Sequence, residues 1–193
     1  EILEFEPKKK ININNEIKIL VLGGSQAAKS FADKLPPIFN QCIDEKINIK
    51  IYQQCLKNQK DILDLFYRKK KIEFESFIFN HNLINYFENA DLVITRSGAS
   101  ITAELLNCNL PFITIPFPYA ADNHQLKNAK YFEEKGYSFL VEEKDIDSKL
   151  FTLIKSIHED KEILNQIKNK QKLHSDKLVF KKIESEIKDL INE

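Results

Sequence analysis

The feature that most constrains the fold is an apolar run, Ile17–Leu22 (IKILVL), that ends at the pair Gly23-Gly24. A strand that is apolar along its length is typical of a parallel sheet that is buried on both faces. Similar runs recur along the chain, and the predicted strands are Ile17–Leu22, Ile47–Tyr52, Phe74–Phe79, Asp91–Thr95, Pro111–Pro116 and Ser138–Val141. Helix-like stretches separate these runs. The alternation predicts an α/β fold with a doubly wound, Rossmann-like parallel sheet.

The stretches between the strands predict the helices and the domain limits. The predicted helices are Gln26–Asn40, Lys57–Tyr67, Leu83–Asn89, a helix from near Ser97 to Asn107, Asp122–Lys135, and helical structure from Asp145 to the end. Gly136 is expected to stop the fifth helix as a left-handed residue. We predict a lead-in over residues 1–16, a main domain over 17–160, and a helical tail over 161–193 that packs on that domain.

Composition argues against several classes of function. The 29 basic and 29 acidic residues cancel to a net charge of +0, which argues against a broad nucleic-acid-binding face and a polybasic membrane anchor. No apolar run approaches the roughly 20 residues of a spanning helix. The three cysteines form no C-x-x-C pair, which favours a reducing compartment over a disulfide framework or zinc ribbon. Methionine is absent, so we expect a fragment or a processed chain.

Ligands of such sheets bind beyond the carboxyl ends of the strands, and a first candidate site follows the first strand there. Gly23 and Gly24 let the backbone turn tightly and approach a ligand, and Ser25 could cap the next helix. The free N–H groups of the helix start suit a phosphate. The alternative is a sharp turn with a serine cap and no ligand.

A second candidate is the segment Arg96–Glu104 (RSGASITAE), again directly after a strand. With a helix that begins near Ser97, Ser100 and Glu104 share one face, and Glu104 lies roughly 9 Å along the axis from Gly98. A carboxylate at that offset could accept both vicinal hydroxyls of a ribose beside a phosphate. The alternative is a solvated glutamate on a capped helix.

The third candidate is the segment from Pro116 to Gln125 (PFPYAADNHQ), between a strand and a helix. Asp122 is a natural N-cap, and Asn123, His124 and Gln125 offer neutral polar tips that suit sugar hydroxyls. The alternative is a proline-rich loop before a capped helix. The remaining histidines have no metal-ligand spacing and are predicted at the surface or in loops: His81, His158 and His174.

Three stretches together resemble a known family: VLGGSQAA, ADLVITRSGASITAEL, and PFITIPFPYAADNHQLKNA followed by FEEKG. They are similar to the C-terminal half of the MurG family, bacterial glycosyltransferases that make lipid II, over roughly Lys18 to Glu142. The resemblance implies one half of a GT-B architecture, in which two Rossmann-like domains face a cleft. The C-terminal domain of that family binds the donor, UDP-N-acetylglucosamine, so the resemblance makes 17–160 a UDP-sugar-binding domain.

The resemblance also implies roles for individual residues. It places Ser25 near the diphosphate, Glu104 on the ribose hydroxyls and Gln125 on the hydroxyls of N-acetylglucosamine. Asn80 stands where a main-chain contact to uracil falls in the family. The nucleotide would be lined by Ala99, Ser100, Ile101, Thr102, Ala103 and Glu104. Supporting positions are Gly23, Gly24, Gly98, Asp122, Asn123 and His124.

The activity implied by the resemblance is an inverting transfer to the C4 hydroxyl of the N-acetylmuramyl unit of lipid I. It needs no metal and no other cofactor, because helix N-termini and backbone amides stabilise the departing diphosphate. In the family the N-terminal half carries the acceptor site, the membrane contact and the base, and we expect this chain to lack that half. The expected location is the inner face of the bacterial cell membrane, as a peripheral cytoplasmic protein. No nucleic-acid partner is expected.

The sequence departs from the family pattern at three places. An arginine expected shortly before the first strand is missing, Ala27 replaces a usual glycine, and Gln53-Gln54-Cys55 replaces an HQ-Ser/Thr-Gly pattern. We therefore expect the isolated chain to bind a UDP-sugar weakly and not to transfer it. Three alternatives stay open: a stand-alone binding subunit of a split glycosyltransferase, a non-catalytic remnant, or a related enzyme such as a lipid glucosyltransferase or a sugar-nucleotide epimerase.

Overall fold

The computed structural model describes residues 5–6, 16–78, 83–160, 162–174, 183, 185 and 187–188, without the side chains of 25–28. The strands are β1 (Ile17–Leu22), β2 (Ile49–Gln54), β3 (Glu73–Phe77), β4 (Leu92–Thr95), β5 (Phe112–Thr114) and β6 (Phe139–Leu140). The α-helices are α1 (Gly24–Asp44), α2 (Lys60–Lys69), α3 (Ile84–Asn89), α4 (Ala99–Asn107), α5 (His124–Glu134), α6 (Phe151–Glu159) and α7 (Glu162–Lys172).

The six strands form one parallel sheet in the order β3-β2-β1-β4-β5-β6. The strand order reverses between β1 and β4, which pair with Val21 opposite Ile94 and Leu22 opposite Thr95. In doubly wound sheets the crevice at this reversal is where ligands bind. The predicted doubly wound, Rossmann-like parallel sheet is confirmed, and the register brings the ends of β1 and β4 level with each other.

Apolar residues on both faces of the sheet create two cores. Alternate residues of β1 point to opposite sides: Ile19 and Val21 join a core with α1, α2 and α6, whereas Leu20 and Leu22 join a core with α3, α4 and α5. Successive side chains of a strand alternate between its faces, so a fully apolar strand needs helices on both sides. This arrangement explains why the run Ile17–Leu22 has no polar face.

Three predicted helix starts are wrong in detail. Helix α1 begins at Gly24 with Gly23 at the N-cap position, so Ser25 is the second helical residue and not the cap. Helix α4 begins at Ala99, with Gly98 rather than Ser97 at the N-cap. Asp122 lies in a short 3₁₀ turn before α5 with a left-handed φ of 50°, and Asn123 takes the N-cap position without a side-chain cap bond. Each correction moves the helix boundary by one or two residues.

Helix α5 ends in the predicted glycine stop. Gly136 has a φ of +71°, its N–H bonds the Glu133 carbonyl at 2.8 Å, and the Tyr137 N–H bonds the Phe132 carbonyl at 2.8 Å. These two bonds form a Schellman motif. A Cβ at Gly136 would lie 3.0 Å from Cδ of Lys170 on α7. The turn and α7 are therefore in close contact at this position.

Replacing Gly136 by alanine is expected to lower the free energy of unfolding by about 1–2 kcal/mol, because an L-residue is strained at positive φ. The expected fall in melting temperature is about 2–8 °C for a chain of this size. Gly98→Ala is the matched control, since Gly98 has a φ of −67° and its Cβ would meet only Ile101 at 3.9 Å. Equal melting temperatures for both variants in scanning calorimetry would contradict this account.

Helix α7 packs against α4 and α6. The Gln171 side chain is fully buried, and its amide donates to the carbonyls of Leu110 and Tyr137 at 3.2 and 2.7 Å. Between β6 and α6 the chain forms a 3₁₀ turn at Glu143–Asp145 and a turn of π-helix at Ile146–Leu150. Within the described residues, none of the helices has the length and apolar character needed to cross a bilayer.

Candidate functional site

A cavity of about 470 Å³ lies at the carboxyl edge of the sheet, where β1 and β4 meet. It joins the ends of three neighbouring strands to Leu83, which precedes α3, and to residues of α4 and of the start of α5. The described residues that line it are Leu22, Gly23, Gly24, Gln54, Leu83, Thr95, Arg96, Gly98, Ile101, Phe117 and Gln125. The three loops that the sequence singled out therefore converge on one cavity.

The loop after β1 places two glycines, and hence backbone without side chains, at the cavity. Gly24 has a left-handed φ of +66°, and a Cβ built there would have no neighbour within 4 Å. Helix α1 starts at this residue, and the first N–H groups of a helix have no intrahelical acceptor. The start of α1 therefore offers free amide donors and the positive end of a helix dipole to an anion in the cavity.

The loop after β4 is fixed by side chains from α5 and from its own helix. The Ser97 hydroxyl donates to the Gln125 carbonyl at 2.8 Å, and the Asn128 amide donates to the Ser97 carbonyl and the Thr102 hydroxyl, both at 3.0 Å. Thr102 is fully buried and also donates to the carbonyls of Gly98 and Ala99. These bonds hold the N-terminus of α4 in place against the cavity.

Glu104 is half-buried on α4, three residues after the cavity-lining Ile101 and hence on the same side of the helix. Among the residues that the structure describes, none bonds the Glu104 carboxylate. Burial raises the pKa of the Glu104 carboxyl above its ordinary value of 4.5. A carboxylate that has lost part of its hydration without gaining a partner retains its capacity to accept hydrogen bonds from a ligand.

The Gln125 side chain is oriented by the loop after β5. Its Oε1 accepts a hydrogen bond from the Phe117 N–H at 3.0 Å, which assigns the carbonyl and amide ends of the group. The Nε2 amide has no recorded partner in the described part of the chain, and Gln125 lines the cavity. The site therefore has an N–H₂ donor at this wall.

The other predicted residues lie in different surroundings. Ala99, Ser100 and Ala103 are exposed on α4, and Asp122, Asn123 and His124 are exposed at the start of α5. His124 Nδ1 lies 2.8 Å from the Ala121 carbonyl, which makes that nitrogen the donor. Asn80 and the side chain of Ser25 lie outside the described residues. Their predicted roles stay predictions.

Sequence reasoning missed the importance of Arg96. Its side chain is 6% exposed, and its Nη2 lies 2.6 Å from Glu143 Oε2 in a buried ion pair. Its Nη1 donates to the carbonyls of Ile115 and Pro116 at 3.1 and 3.2 Å. One signal was available: Arg68 and Arg96 are the only arginines in a lysine-rich sequence, and a planar five-donor guanidinium is needed where several acceptors converge.

Three further lining residues also had no predicted role. Gln54 ends β2, Leu83 precedes α3, and Phe117 follows β5. Leu83 and Ile101 both pack against the second core, so they form an apolar wall that the polar loops face. Among the residues that the structure describes, no group of three or more His, Cys, Asp or Glu side chains could hold a metal ion.

Glu143 gives stability a defined dependence on pH. Burial acts to raise the pKa of Glu143, but the adjoining Arg96 guanidinium, the Ser30 hydroxyl and the charge of Lys34 outweigh it, and the net pKa is lowered. The ionised form is therefore favoured by folding. Its contribution is fully present above the ordinary value of 4.5 and is lost as the pH falls through the lowered folded value.

Urea unfolding midpoints measured from pH 7 down to pH 3 are expected to fall more steeply for the wild-type chain than for Glu143→Gln. The glutamine cannot titrate, so the pH dependence of stability that Glu143 causes is absent from this variant. Glu142→Gln is the control, because Glu142 pairs at 3.3 Å with Lys144, whose side chain is 71% exposed. An equal fall of the unfolding midpoint with decreasing pH in the wild type and in Glu143→Gln would contradict the prediction.

Comparison with known proteins agrees with this geometry. Residues 18–186 match the family model of the glycosyltransferase family 28 C-terminal domain. The chain is 38% identical over 155 residues to the UDP-N-acetylglucosamine--N-acetylmuramyl-(pentapeptide) pyrophosphoryl-undecaprenol N-acetylglucosamine transferase of Pelagibacter ubique. That alignment covers 79% of this chain and 43% of the relative. The chain thus spans less than half the length of this relative.

Solved structures support the fold. The crystal structure of Acinetobacter baumannii MurG superposes with a TM-score of 0.78 at 22% identity, over 90% of this chain and 50% of that one. A co-structure of S. aureus MnaA with UDP gives 0.56 at 14% identity, over 92% and 46% of the two chains. The expected fold class, the Rossmann-like C-terminal half of a GT-B glycosyltransferase, is confirmed. The resemblance seen in the sequence is confirmed as well, and the chain belongs to the glycosyltransferase family 28 C-terminal domain family.

Proposed function

We propose that this chain is the donor-binding half of an inverting glycosyltransferase, and that its cavity binds UDP-N-acetylglucosamine. The observation that carries the proposal is the convergence of the β1, β4 and β5 loops on one cavity at the strand-order reversal. Its volume of about 470 Å³ falls within the range of small-molecule sites, about 300–1,000 Å³. The family of the chain and the donor in the name of its Pelagibacter relative support this choice of ligand.

The diphosphate is proposed to lie between the starts of α1 and α4. Gly24 and Gly98 both line the cavity, and each stands at a helix N-terminus. Each helix start supplies backbone N–H groups that have no intrahelical acceptor, and each carries the positive end of a helix dipole. In the family resemblance Ser25 belongs to this group, and it is retained here as a proposed diphosphate ligand.

Glu104 is proposed to bind the ribose. It lies along α4 from the proposed diphosphate position and beside the cavity-lining Ile101. Its carboxylate offers oxygens to two vicinal hydroxyls, and its desolvation makes those hydrogen bonds stronger than they would be in water. The apolar wall of Leu83 and Ile101 is proposed to face the uracil ring.

Gln125 is proposed to hold the sugar, since its Nε2 amide can donate to a hydroxyl oxygen. In the proposed reaction the acceptor hydroxyl oxygen forms a bond to the anomeric carbon from the face opposite the diphosphate. The bond from that carbon to the phosphate oxygen breaks, and UDP leaves with the electron pair. The helix starts stabilise the developing charge, and the hydroxyl proton passes to a base outside these 193 residues.

The acceptor is proposed to be the lipid-linked N-acetylmuramyl-pentapeptide named in the relative's activity, bound by a separate domain. Support comes from the 43% of that relative's length that this chain spans. We further propose that the whole enzyme acts at the cytoplasmic face of the bacterial membrane, where a lipid-linked acceptor can reach it. Turnover of a lipid I analogue by the isolated chain would contradict the separate acceptor domain.

Calorimetric titration of the 193-residue chain tests donor binding. UDP, UDP-N-acetylglucosamine and UDP-glucose are titrated in turn, with ADP as the control for general diphosphate binding. We expect saturable binding of UDP and of UDP-N-acetylglucosamine and weaker binding of ADP. Absence of saturable UDP binding, or equal affinity for ADP and UDP, would overturn the proposal.

A further inference from the structure

We propose that Glu143 is a positioning residue for the donor sugar, acting through Arg96 on the loop that orients Gln125. The inference rests on the proposed function, because it assigns the sugar contact to Gln125. Glu143 itself is not among the described residues that line the main cavity. Its effect on the donor would therefore pass through a chain of contacts, which we call the Arg96–Glu143 clamp.

The clamp starts with Glu143 held from two sides. Its Oε1 accepts a hydrogen bond from the Ser30 hydroxyl of α1 at 2.9 Å and lies 3.5 Å from Lys34 Nζ. Its Oε2 lies 2.6 Å from Arg96 Nη2. The carboxylate thus joins α1, whose start borders the cavity, to the arginine that follows β4.

Arg96 transmits this constraint to the loop after β5. Its Nη1 donates to two successive carbonyls, those of Ile115 and Pro116. Its guanidinium also lies 4.5 Å from the centre of the Phe31 ring and 5.5 Å from that of Phe117. Two bonded carbonyls and the Phe117 ring contact hold this short segment, and the Phe31 contact holds the guanidinium against α1.

The peptide group between Pro116 and Phe117 sets the direction of Gln125. The Phe117 N–H directly follows the Pro116 carbonyl that Arg96 holds, and it donates to Gln125 Oε1 at 3.0 Å. The terminal torsion of a glutamine is broad and roughly two-fold, so without this donor its amide and carbonyl could exchange places. The clamp thus keeps the Nε2 donor of Gln125 available to the cavity before a ligand arrives, and preorganisation of this kind favours affinity.

Glu143 is needed because a desolvated guanidinium requires a charged partner. With Glu143 neutral, Arg96 keeps its carbonyl acceptors but loses the contact that prevents it from rotating away from the loop. The expected loss concerns the Gln125 contact, hence the sugar and not the nucleotide. A general structural defect would instead weaken the binding of UDP and of UDP-N-acetylglucosamine equally.

The test compares the affinities of the 193-residue chain for UDP and for UDP-N-acetylglucosamine. For Glu143→Gln we expect the ratio of the dissociation constant of UDP to that of UDP-N-acetylglucosamine to fall about 5–10-fold, as for one lost hydrogen bond. The dissociation constant of UDP should change less than about twofold. Glu142→Gln, at the neighbouring exposed pair with Lys144, should leave both constants unchanged.

A second measurement needs no ligand. Amide hydrogen exchange at Phe117, followed by NMR, should become at least about tenfold faster in Glu143→Gln than in the wild type and Glu142→Gln, because its hydrogen bond opens more often. Unchanged exchange, an unchanged affinity ratio, or an equal loss for both ligands would overturn the clamp. Failure of the wild type to bind UDP would overturn the proposed function, and the exchange rates would still decide whether Glu143 orders the loop.

Discussion

Replacing Glu104 by glutamine is expected to weaken the binding of UDP about 30–100-fold, or about 2–3 kcal/mol, while the chain stays folded. A glutamine keeps one acceptor but loses the charge that makes each hydroxyl bond worth about 1.5–3 kcal/mol. Stability should not fall, because no recorded bond from the described residues holds this carboxylate and because burial disfavours its charged form. Calorimetric titration and a thermal melt measure both quantities.

A comparison with 2′-deoxy-UDP assigns the loss to the ribose. The wild-type chain should bind UDP more tightly than the deoxy analogue, whereas Glu104→Gln should bind the two with closer affinities. A double-mutant cycle of this form isolates the contact between the carboxylate and the hydroxyl. Glu134→Gln, an exposed glutamate of α5, is the control and should behave as the wild type. An undiminished preference for UDP in Glu104→Gln would place the ribose elsewhere.

Replacing Arg96 by methionine is expected to lower the free energy of unfolding by about 3 kcal/mol. The substitution leaves the partly buried Glu143 carboxylate without its closest cation and two buried carbonyls, of Ile115 and Pro116, without their donor. Removal of one partner from a buried ion pair costs about 3–5 kcal/mol. The lower value applies because Ser30 and Lys34 still contact Glu143. For a chain of this length the melting temperature should fall about 6–12 °C.

Lys155→Met is the matched control for this prediction. Lys155 pairs with Glu45 at 3.2 Å, but their side chains are 42% and 51% exposed. Solvent-exposed ion pairs contribute about 0–1 kcal/mol, so this variant should melt within about 4 °C of the wild type. If both methionine variants lowered the melting temperature by the same amount, the Arg96 pair would be no more than a surface contact.

Most of the fold could be predicted because its signals are local. All six predicted strands are present, and each of their ends lies within two residues of the predicted one. The glycine stop of α5 was predictable from Gly136 alone, since the left-handed residue after a helix is set by its own backbone. The helix starts were less predictable. Asp122 has the side chain of a cap, yet the loop places it in a left-handed turn before the helix.

The candidate site was predictable only in part. The sequence placed Glu104 on the helix after β4 and Gln125 after β5, because strand and helix periodicity fixes which residues follow each strand. It could not show that Glu104 stays half-buried without a recorded partner or that Gln125 turns its amide end away from Phe117. Those facts depend on side chains that meet only after the sheet has assembled.

The sequence by itself determined the parallel sheet, its carboxyl edge as the place for a ligand, and the glycines that bring backbone to that edge. These properties follow from the spacing of the apolar residues, from the right-handed crossovers of parallel sheets and from the backbone conformations that glycine can adopt. Only the tertiary structure decided that Arg96 pairs with Glu143 and that this pair reaches the Phe117–Gln125 contact. The physical reason is that hydrogen bonds and ion pairs act over a few ångströms, so partners far apart in sequence are selected by the packing of whole elements and not by local pattern.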